Sequence, residues 1–579
     1  MKLPVDRKKY GPRVGAVLTG VGISTAVFIL YLRTLAPRVL PYDSPNLLDS
    51  AMLQMQVCVL GITHPTGYPT YLMLSHLLTY LFLPFSGGGG ASCAYRANLA
   101  SALYGALAVG VLFWCACVLS KRRRRGRRLV GASVGALAFG VSTTLWSQAV
   151  ITEVYTLNAL LVALTLLVLV VWREQRRGDG HHHHLLLIGA FLIGLCMTNH
   201  LTSGLLLPGG VLFVVMVERG RLVEDWRVVL KGIGLFFVGL SPYLYLPIRA
   251  AMDPPFGSKN PTTLAGFLRL VSGGNLRGGF FAFGPQELPG RMVFYLGHLL
   301  ENFSWVLVAI GIVGLGALLL WERAVGVMLG FLYVGWLFHA IENNIPDVEL
   351  YFIPTYLVLS LCVAVGVGVV LEETEDILGR ISSTISSSSS SSSSSLGRIL
   401  KKIFEEKNEG VVVAVVVGLM WVGFVLLAVG KVGHSYATND MSEDHRGERI
   451  IEEVARDAKP DATILHHRSN LWYMVLVEKR RRDLTLVDPF HHNRHIGYAD
   501  IVWPDDDIDL KTMNRRYGTG DRRGVRAARE AARRGPVYVL DQDDVDRGGL
   551  REAGWRMVHV DGVLYKLIPP RSEPGEDTS

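Results

Sequence analysis

The sequence has few charged residues and few cysteines for its length. Of 579 residues only 19% are charged and 50% are hydrophobic. The apolar residues come in runs of about twenty, the length that crosses the hydrocarbon core of a bilayer. This pattern excludes a soluble multidomain enzyme and a fibre, and it predicts a polytopic membrane protein. The six cysteines mostly lie in apolar stretches and none follows Cys362, so we expect no disulfide framework and no CxxC metal site.

Motifs for nucleotide-driven work and for zinc peptidase chemistry are absent. The sequence contains no GxxxxGK[ST] loop and no HExxH pair, and it predicts no cofactor and no metal ion. The net charge of +8 arises from 58 Lys and Arg against 50 Asp and Glu. Much of the excess lies in short runs between apolar segments, such as Lys121–Arg128. Such runs are typical of cytoplasmic loops and do not indicate a nucleic-acid partner.

The hydrophobic runs predict about eleven transmembrane helices. The first, Val14–Ala36, is too long for the core of a signal peptide, so we expect it to remain as a helix. The stretch Tyr71–Phe85 is short, and an interfacial position for it places Lys121–Arg128 in the cytoplasm. The other helices are expected near 95–119, 129–148, 154–172, 185–199, 201–217, 229–247, 302–320, 325–341, 351–371 and 410–431.

The predicted topology gives an all-α membrane domain and a small C-terminal α/β domain. Residues 1–371 form the membrane domain, with 37–92 as its first outer loop. Residues 372–409 are a cytoplasmic Ser-rich linker, 410–431 the last transmembrane helix, and 432–579 the extracytoplasmic α/β domain. The strands expected in this domain are Ala462–Leu465, Leu484–Val487, Val537–Leu540 and Val563–Leu567. Its expected helices are Glu448–Asp457 and Val525–Arg533. The expected location is the plasma membrane, with the active site on the outer face.

Acids, histidines and arginines gather at the predicted outer ends of the helices, whereas the inner ends carry mostly Lys and Arg runs. Charged groups near a membrane are costly unless they pair or act. Each alone fits an ordinary interfacial cap or aromatic belt, but together they predict one functional site. The candidates are Asp43, Asp49, His64, Arg96, Glu153, Tyr155, His200, Arg249 and Asp347.

Asp49 is the preferred catalytic residue, and Asp43 competes for the same role. Asp49 opens a short amphipathic stretch. The turn Gly61–Pro69 follows it, with two prolines that fix φ and two glycines that permit φ > 0. The turn can hold His64 beside Asp49, where His64 would orient the carboxylate, bind a phosphate or cap the turn. A sheltered carboxylate can act as general base towards a hydroxyl nucleophile.

Two arginines are candidates for binding a phosphate group. Arg249 ends the segment that begins at Ser241, and a guanidinium binds phosphate through two parallel hydrogen bonds. The alternative is that Arg249 only reaches the lipid headgroups. Arg96 begins a helix on the outer side, against the positive-inside trend. The run His181–His184 lies in a predicted cytoplasmic loop and receives no functional role.

Several of these residues lie in motifs that resemble one family of multipass membrane proteins. The segments Asp49–Leu53 and Leu60–Pro69 resemble its Asp-Ser-Gly-Glu-Leu and Gly-x-Ala-His-Pro-Pro-Gly-Tyr-Pro stretches, with the same spacing. Further matches lie at Arg96–Leu99, Trp146–Asn158, Gly194–Thr202, Pro242–Ala250, Asn260–Phe267 and Asp347–Pro354. The family, long catalogued as of unknown function, includes the eukaryotic transmembrane protein O-mannosyltransferases and resembles the GT-C glycosyltransferases.

The resemblance implies transfer of a sugar, with mannose as the family's example, from a polyprenyl-phosphate donor to a hydroxyl of a protein or glycan. Its partners would be the lipid-linked donor, the acceptor and membrane lipids, and its catalytic carboxylate by position is Asp49. The chain departs from the family pattern at Ala51, Met52 and Thr66, which replace Gly, Glu and the second Pro. Loss of the Glu counts against a mechanism with two carboxylates or a metal.

Two other classes of function remain open from the sequence. One is a carrier or flippase for a lipid-linked or sugar substrate, and the other is a non-catalytic scaffold that displays the C-terminal domain. A transporter needs polar residues at mid-membrane depth, whereas the predicted ones lie at the outer rim. The sequence therefore favours the glycosyltransferase.

Overall fold

A computed structural model describes the chain over most of its length. The described residues are 14–41, 49–83, 92–121, 123–176, 183–218, 226–252, 254–255, 260–273, 281–387, 406–466, 470–487, 521–540 and 547–570. Asp43 and the first two residues of the run His181–His184 therefore lie outside the described residues.

Helices make up nearly all of the membrane domain. They are α1 Val14–Arg33, α2 Ser50–Val59, α3 Pro69–Leu81, α4 Cys93–Leu119, α5 Arg125–Gly140, α6 Thr143–Ala149, α7 Tyr155–Arg176, α8 His183–Asn199, α9 Leu206–Glu218, α10 Trp226–Gly239, α11 Tyr245–Ala251, α12 Leu264–Val271, α13 Leu288–Asn302, α14 Trp305–Trp321, α15 Arg323–Ile341, α16 Ile353–Ser387 and α17 Glu406–Val429. Short 3₁₀ turns lie at Leu201–Leu205, Ser241–Leu244, Asn260–Thr262 and Val348–Phe352.

The predicted polytopic helical domain is confirmed. Within the described residues, eight helices are long and apolar enough to cross a membrane, or ten if each of two bent pairs counts as one span. The pairs α5–α6 and α13–α14 bend by 63° and 104°. The apolar helix α8 has 17 residues, slightly short of a full span. Each of the eleven predicted segments coincides with one of these helices. The short stretch that was predicted to be interfacial forms α3, which at roughly 20 Å is shorter than a bilayer core.

Helix α16 continues beyond the predicted start of the Ser-rich linker. It runs to Ser387, so the first part of the segment predicted as a linker is helical. Glu372 and Glu375 on this extension form ion pairs with the basic start of α5: Arg127 Nη1 lies 3.1 Å from Glu372 Oε1, and Arg127 also pairs with Glu375. These ion pairs link segments that are far apart in the sequence. They stabilise the extension of α16, where the local sequence predicts a linker. Residues 388–405 lie outside the described residues.

The C-terminal part is a small α/β domain, as predicted. Helices α18 Val432–Asn439, α19 Arg446–Asp457, α20 Leu471–Leu476, α21 Asp521–Ala532 and α22 Arg547–Glu552 accompany strands β1 Thr463–Leu465, β2 Thr485–Val487, β3 Val537–Leu540, β4 Arg556–Asp561 and β5 Leu564–Ile568. The strand order is β2-β1-β3-β5-β4, with β1 parallel to β2 and β3, and β5 antiparallel to β3 and β4. The sequence missed β4, a largely exposed edge strand without an apolar run.

The α/β domain packs directly on the first loop of the membrane domain. Met52 and Met55 of α2 lie in one buried cluster with α20 and with Ile451 of α19. The Ala94 N–H donates a hydrogen bond to the Tyr473 hydroxyl at 3.0 Å. The N-terminal end of α4, helix α2 and the C-terminal domain therefore lie on the same side of the molecule.

A disulfide joins Cys58, near the end of α2, to Cys93 at the start of α4. The sequence analysis, which expected no disulfide framework, missed this bond. The other four cysteines are buried and free. Cys58 and Cys93 are also the two that lie outside the predicted transmembrane helices, which is the signal that the sequence offered. The bond fixes the far end of α2 to the helical scaffold.

Candidate active site

Asp49 and His64 form a pair at the start of α2. Asp49 occupies the N-cap position, but its carboxylate makes no capping hydrogen bond. Instead Oδ2 lies 3.4 Å from His64 Nε2, and both side chains stay partly exposed, at 33% and 22%. The Ser50 hydroxyl donates to the Thr152 carbonyl at 3.0 Å and holds the start of the helix. The pair is thus fixed yet open to a ligand.

The turn that carries His64 depends on a glycine. The Gly67 N–H donates to the His64 carbonyl at 2.8 Å. Gly67 has φ +87°, and a Cβ there would lie 3.0 Å from both δ carbons of Leu246. Tyr68 follows, and Pro69 is the first residue of α3. The clustered Gly and Pro residues therefore produce the turn that the sequence predicted, and it places His64 and Tyr68 side by side.

A group of aromatic rings, the aromatic cluster, extends from this turn. It consists of Tyr68, Tyr155, His200, His339 and Tyr351. The Tyr68 ring lies 5.2 Å from His64 and is nearly parallel to His200, with centroids 6.1 Å apart. His200 lies 5.3 Å from Tyr155 and 5.3 Å from Tyr351, and His339 lies 5.8 Å from Tyr351. Four separate chain regions thus meet beside Asp49.

Two further carboxylates belong to the same site. The Tyr155 hydroxyl donates to Asp347 Oδ2 at 3.4 Å, and the Glu153 N–H donates to Ser101 Oγ at 3.2 Å. Burial raises the pKa of Glu153 well above its usual value, and the charges of Asp49 and Asp347 raise it further. Burial and the charge of Asp49 raise the pKa of Asp347 to about 6. The three carboxylates therefore repel one another, and Glu153 is the most strongly driven to hold a proton.

His200 is held as a neutral ring. Its Nδ1 lies 2.7 Å from the Thr202 hydroxyl. Burial lowers the pKa of His200 to about 3, with smaller contributions from His339 and His64. At neutral pH it therefore offers a flat face and one hydrogen-bonding nitrogen rather than a positive charge, so it is a poor phosphate ligand and a good sugar or acceptor contact.

Arg249 holds the end of α2. Its Nε donates to the Leu60 carbonyl at 2.6 Å and its Nη2 to the Val59 carbonyl at 3.3 Å. The Tyr245 hydroxyl contacts the Leu60 and Gly61 carbonyl oxygens at 2.9 and 2.6 Å. A cation at a helix C-terminus is electrostatically favourable. The residue predicted to bind phosphate thus also anchors the helix that carries Asp49.

Arg96 lies towards the C-terminal domain. Burial raises the pKa of Tyr473 to about 12, and the Arg96 charge is among the groups that lower it. Arg96 thus acts through its charge on a residue of the C-terminal domain. Its neighbour Asn98 instead joins the loop together, since Asn98 Oδ1 accepts from Gln54 Nε2 at 2.9 Å and from Thr152 Oγ1 at 2.5 Å. The sequence analysis missed this role of Asn98.

A cavity of about 400 Å³ borders the aromatic cluster. Tyr68, His200, His339, Glu342 and Tyr351 form part of its wall. Its apolar wall includes Leu201, Leu205, Phe281 and Phe338. Within the described residues, no three His, Cys, Asp or Glu side chains are grouped as a metal site. Sequence reasoning gave Tyr68 and His339 no role, although Tyr68 lies within the recognised turn motif.

Comparisons with known proteins agree with the motifs. Residues 49–223 match the sequence model of the family described as the protein O-mannosyl-transferase TMEM260 N-terminal domain. The mouse protein O-mannosyl-transferase TMEM260 is 33% identical over 264 residues, which are 45% of this chain and 34% of that protein. The Dictyostelium discoideum protein of the same description is 21% identical over 500 residues, 80% of this chain and 57% of that protein. The predicted family resemblance is confirmed, although the chain spans only between a third and just over half of these relatives.

The fold is also similar to that of solved structures. ArnT from Cupriavidus metallidurans, bound to undecaprenyl phosphate, superposes with a TM-score of 0.55 at 12% identity, covering 96% of this chain and 98% of that one. The apo state of the same protein gives a TM-score of 0.50 at 13% identity, covering 96% and 97%. At such identity the likeness establishes the GT-C-like fold alone.

Proposed function

We propose that the chain is an integral-membrane glycosyltransferase of the GT-C type, which moves a sugar from a polyprenyl-phosphate donor to an acceptor hydroxyl. The observation that carries this proposal is the partly exposed Asp49–His64 pair beside a cavity walled by aromatic rings. The names of the curated relatives support mannose as the sugar and a protein hydroxyl as the acceptor. A glycan acceptor would use the same chemistry.

Asp49 acts as the general base. Its Oδ2 accepts the proton of the acceptor hydroxyl while that oxygen attacks the anomeric carbon, and the bond from this carbon to the phosphate oxygen breaks. Polyprenyl phosphate leaves with the bonding electrons, and a single displacement inverts the configuration. His64, 3.4 Å away, orients the carboxylate, because a base must be held within hydrogen-bond reach of the proton that it removes.

The donor lies between Arg249 and the aromatic cluster. Arg249 uses Nε and Nη2 for the end of α2, and Nη1 is the remaining edge for an oxygen of the donor phosphate. Aromatic faces such as those of Tyr68 and Tyr351 pack against the apolar face of a sugar ring. Glu153 and Asp347 complete the pocket, and their mutual repulsion favours one ionised base at a time.

The reaction takes place on the extracytoplasmic face of the plasma membrane. Disulfides persist in oxidising compartments, and the Cys58–Cys93 bond lies in the same loop as Asp49. The C-terminal α/β domain covers this loop through Met52 and Met55. It therefore lies where an acceptor must approach, with 432–579 outside and the Ser-rich linker inside.

The test is turnover of defined donors. The purified full-length chain in lipid nanodiscs is incubated with a panel of polyprenyl-phosphate sugars, including mannose, and a Ser/Thr-rich peptide, and free polyprenyl phosphate is measured. We expect release with at least one donor, and loss of release in Asp49→Asn. No release with any donor would contradict the proposal. Movement of intact donor across a vesicle membrane by Asp49→Asn would instead support a flippase.

A further inference from the structure

Glu342 is a buried carboxylate in the wall of the cavity. It caps the C-terminal end of α15 and is only 7% exposed. Within the part of the chain that the structure describes, its side chain has no hydrogen-bond donor and no cationic partner. Its main chain is held on both sides, since Arg291 Nε and Nη2 donate to the Ile341 and Asn343 carbonyls at 3.0 Å each. The backbone that carries this side chain is thus fixed beside the cavity.

Two other buried glutamates of the helical domain, Glu218 and Glu322, are paired with arginines. Glu218 is 4% exposed and accepts from Arg176 Nε at 2.8 Å. Glu322 is 8% exposed and pairs with Arg173. Glu342 has neither arrangement, and it lies at a helix C-terminus, where the helix dipole disfavours a negative charge. An unpaired buried carboxylate lowers stability, so its presence indicates a ligand that supplies the missing donors.

The surroundings restrict the chemistry of that ligand. A polyprenyl chain has no hydrogen-bond donor, and a phosphate would be repelled by the carboxylate. A sugar ring supplies hydroxyl donors to Glu342 and an apolar face to the rings of Tyr68 and Tyr351, which line the same cavity. We propose that Glu342 binds hydroxyl groups of the donor sugar and determines which sugar the enzyme accepts. This proposal rests on the proposed glycosyltransferase function and identifies the residue that selects its donor sugar.

A carboxylate that accepts hydroxyl hydrogen bonds makes two measurable contributions. Glu342→Gln keeps the shape but weakens each accepted bond, so we expect kcat/KM for the preferred donor to fall about 10- to 100-fold. We also expect the variant to discriminate less between that donor and an analogue that lacks one ring hydroxyl. Because the unpaired charge is removed, the thermal unfolding midpoint should rise rather than fall.

The experiment compares the full-length wild type, Glu342→Gln and Glu301→Gln. Glu301 is a matched control on α13, 40% exposed and close to His298. Each protein is assayed with the preferred donor and its deoxy analogues, and its thermal unfolding is followed in detergent. The control should keep wild-type selectivity. A Glu342→Gln variant with unchanged kcat/KM and unchanged selectivity, in an active wild-type background, would overturn the inference.

The same experiment separates the two levels of the proposal. An inactive wild type with every donor contradicts the glycosyltransferase function itself. If the wild type is active but Glu342→Gln is less stable and loses activity equally with all donors, Glu342 has a purely structural role. This result overturns the role of Glu342 in sugar selection alone. If Glu342→Gln, compared with the wild type, uses a deoxy donor better relative to the parent donor, the result supports the role of Glu342 in sugar selection.

Discussion

His64 Nε2 lies 3.4 Å from Asp49 Oδ2, although α2 and a tight turn separate the two residues in the chain. Their geometry depends on the ends of that helix. The Ser50 hydroxyl bonds to the Thr152 carbonyl at one end, and Arg249 bonds to the Leu60 carbonyl at the other. The positions of the base and its partner therefore depend on contacts from two distant segments, those of Thr152 and Arg249.

Asp49→Asn should abolish transfer while leaving the fold intact. The amide keeps the size of the side chain but cannot accept the hydroxyl proton, and loss of a general base costs about 10² to 10⁴ in rate. The measurement is the rate of polyprenyl phosphate release at saturating donor, with thermal unfolding as the check on folding.

Asp43→Asn is the comparison, because Asp43 competes for the same role in the sequence. We expect a much smaller effect, since Asp49 is fixed at the start of a helix and a rigid element positions a base better. If Asp43→Asn were the inactive variant, the assignment of the base would be wrong. If both variants kept full activity, the single-base mechanism would have to be abandoned.

Asp347 should make stability depend on pH. Burial and the charge of Asp49 raise its pKa from 3.8 to about 6, so between these values the folded state binds the proton more tightly than the unfolded state. The free energy of unfolding therefore decreases as pH rises through this window. Asp347→Asn should remove this component, which is measured as the difference between wild-type and variant unfolding midpoints from pH 4 to 7. Parallel curves would contradict the raised pKa.

Much of the fold could be predicted because its signal is local. Runs of about twenty apolar residues identify membrane helices, and short β-branched runs located four of the five strands. The Gly61–Pro69 turn could also be predicted, because proline fixes φ and a glycine such as Gly67 permits a positive φ. The grouping of Glu153, His200 and Asp347 with Asp49 followed from one assumption, that all lie at the same ends of their helices.

The features that the sequence missed depend on distant contacts. The Cys58–Cys93 bond requires two residues to meet across a loop, and no spacing rule predicts this. Helix α16 extends through Glu372 and Glu375 because arginines of another segment neutralise them. Arg249 was recognised as a phosphate candidate, but its bonds to the end of α2 depend on tertiary packing.

Arg249→Lys should weaken both the donor site and the scaffold. An ammonium cannot replace the two bonds from Nε and Nη2 and also reach a phosphate. We expect a higher donor KM and a lower unfolding midpoint, with each lost charge-assisted bond worth about 1.5–3 kcal/mol. Tyr245→Phe is the control, because it removes only the hydroxyl bonds to the Leu60 and Gly61 carbonyls at the end of α2. An unchanged donor KM in Arg249→Lys would limit the residue to anchoring α2.

The Cys58–Cys93 disulfide should stabilise the loop and report its location. Combined Cys58→Ser and Cys93→Ser should lower the free energy of unfolding by about 2–4 kcal/mol, whereas Cys117→Ala, at a buried free cysteine, should leave the loop unaffected. In cells, the two thiols should resist alkylation until a reductant is added. Immediate alkylation of both in the native protein would contradict the extracytoplasmic position of the loop.

The final prediction concerns Met52, which stands where the resembling family has Glu. Met52 is 3% exposed and packs in one cluster with α20 of the C-terminal domain. Met52→Glu would bury a carboxylate in this cluster, at a cost of roughly 2–5 kcal/mol, whereas Met52→Leu should cost less than about 1.5 kcal/mol. We expect Met52→Glu to expose the C-terminal domain to protease and to lower transfer, because the domain supports the helix that begins beside Asp49. A stable Met52→Glu variant with higher activity would show instead that this position faces the reaction, and that the chain has lost a catalytic carboxylate rather than gained a docking contact.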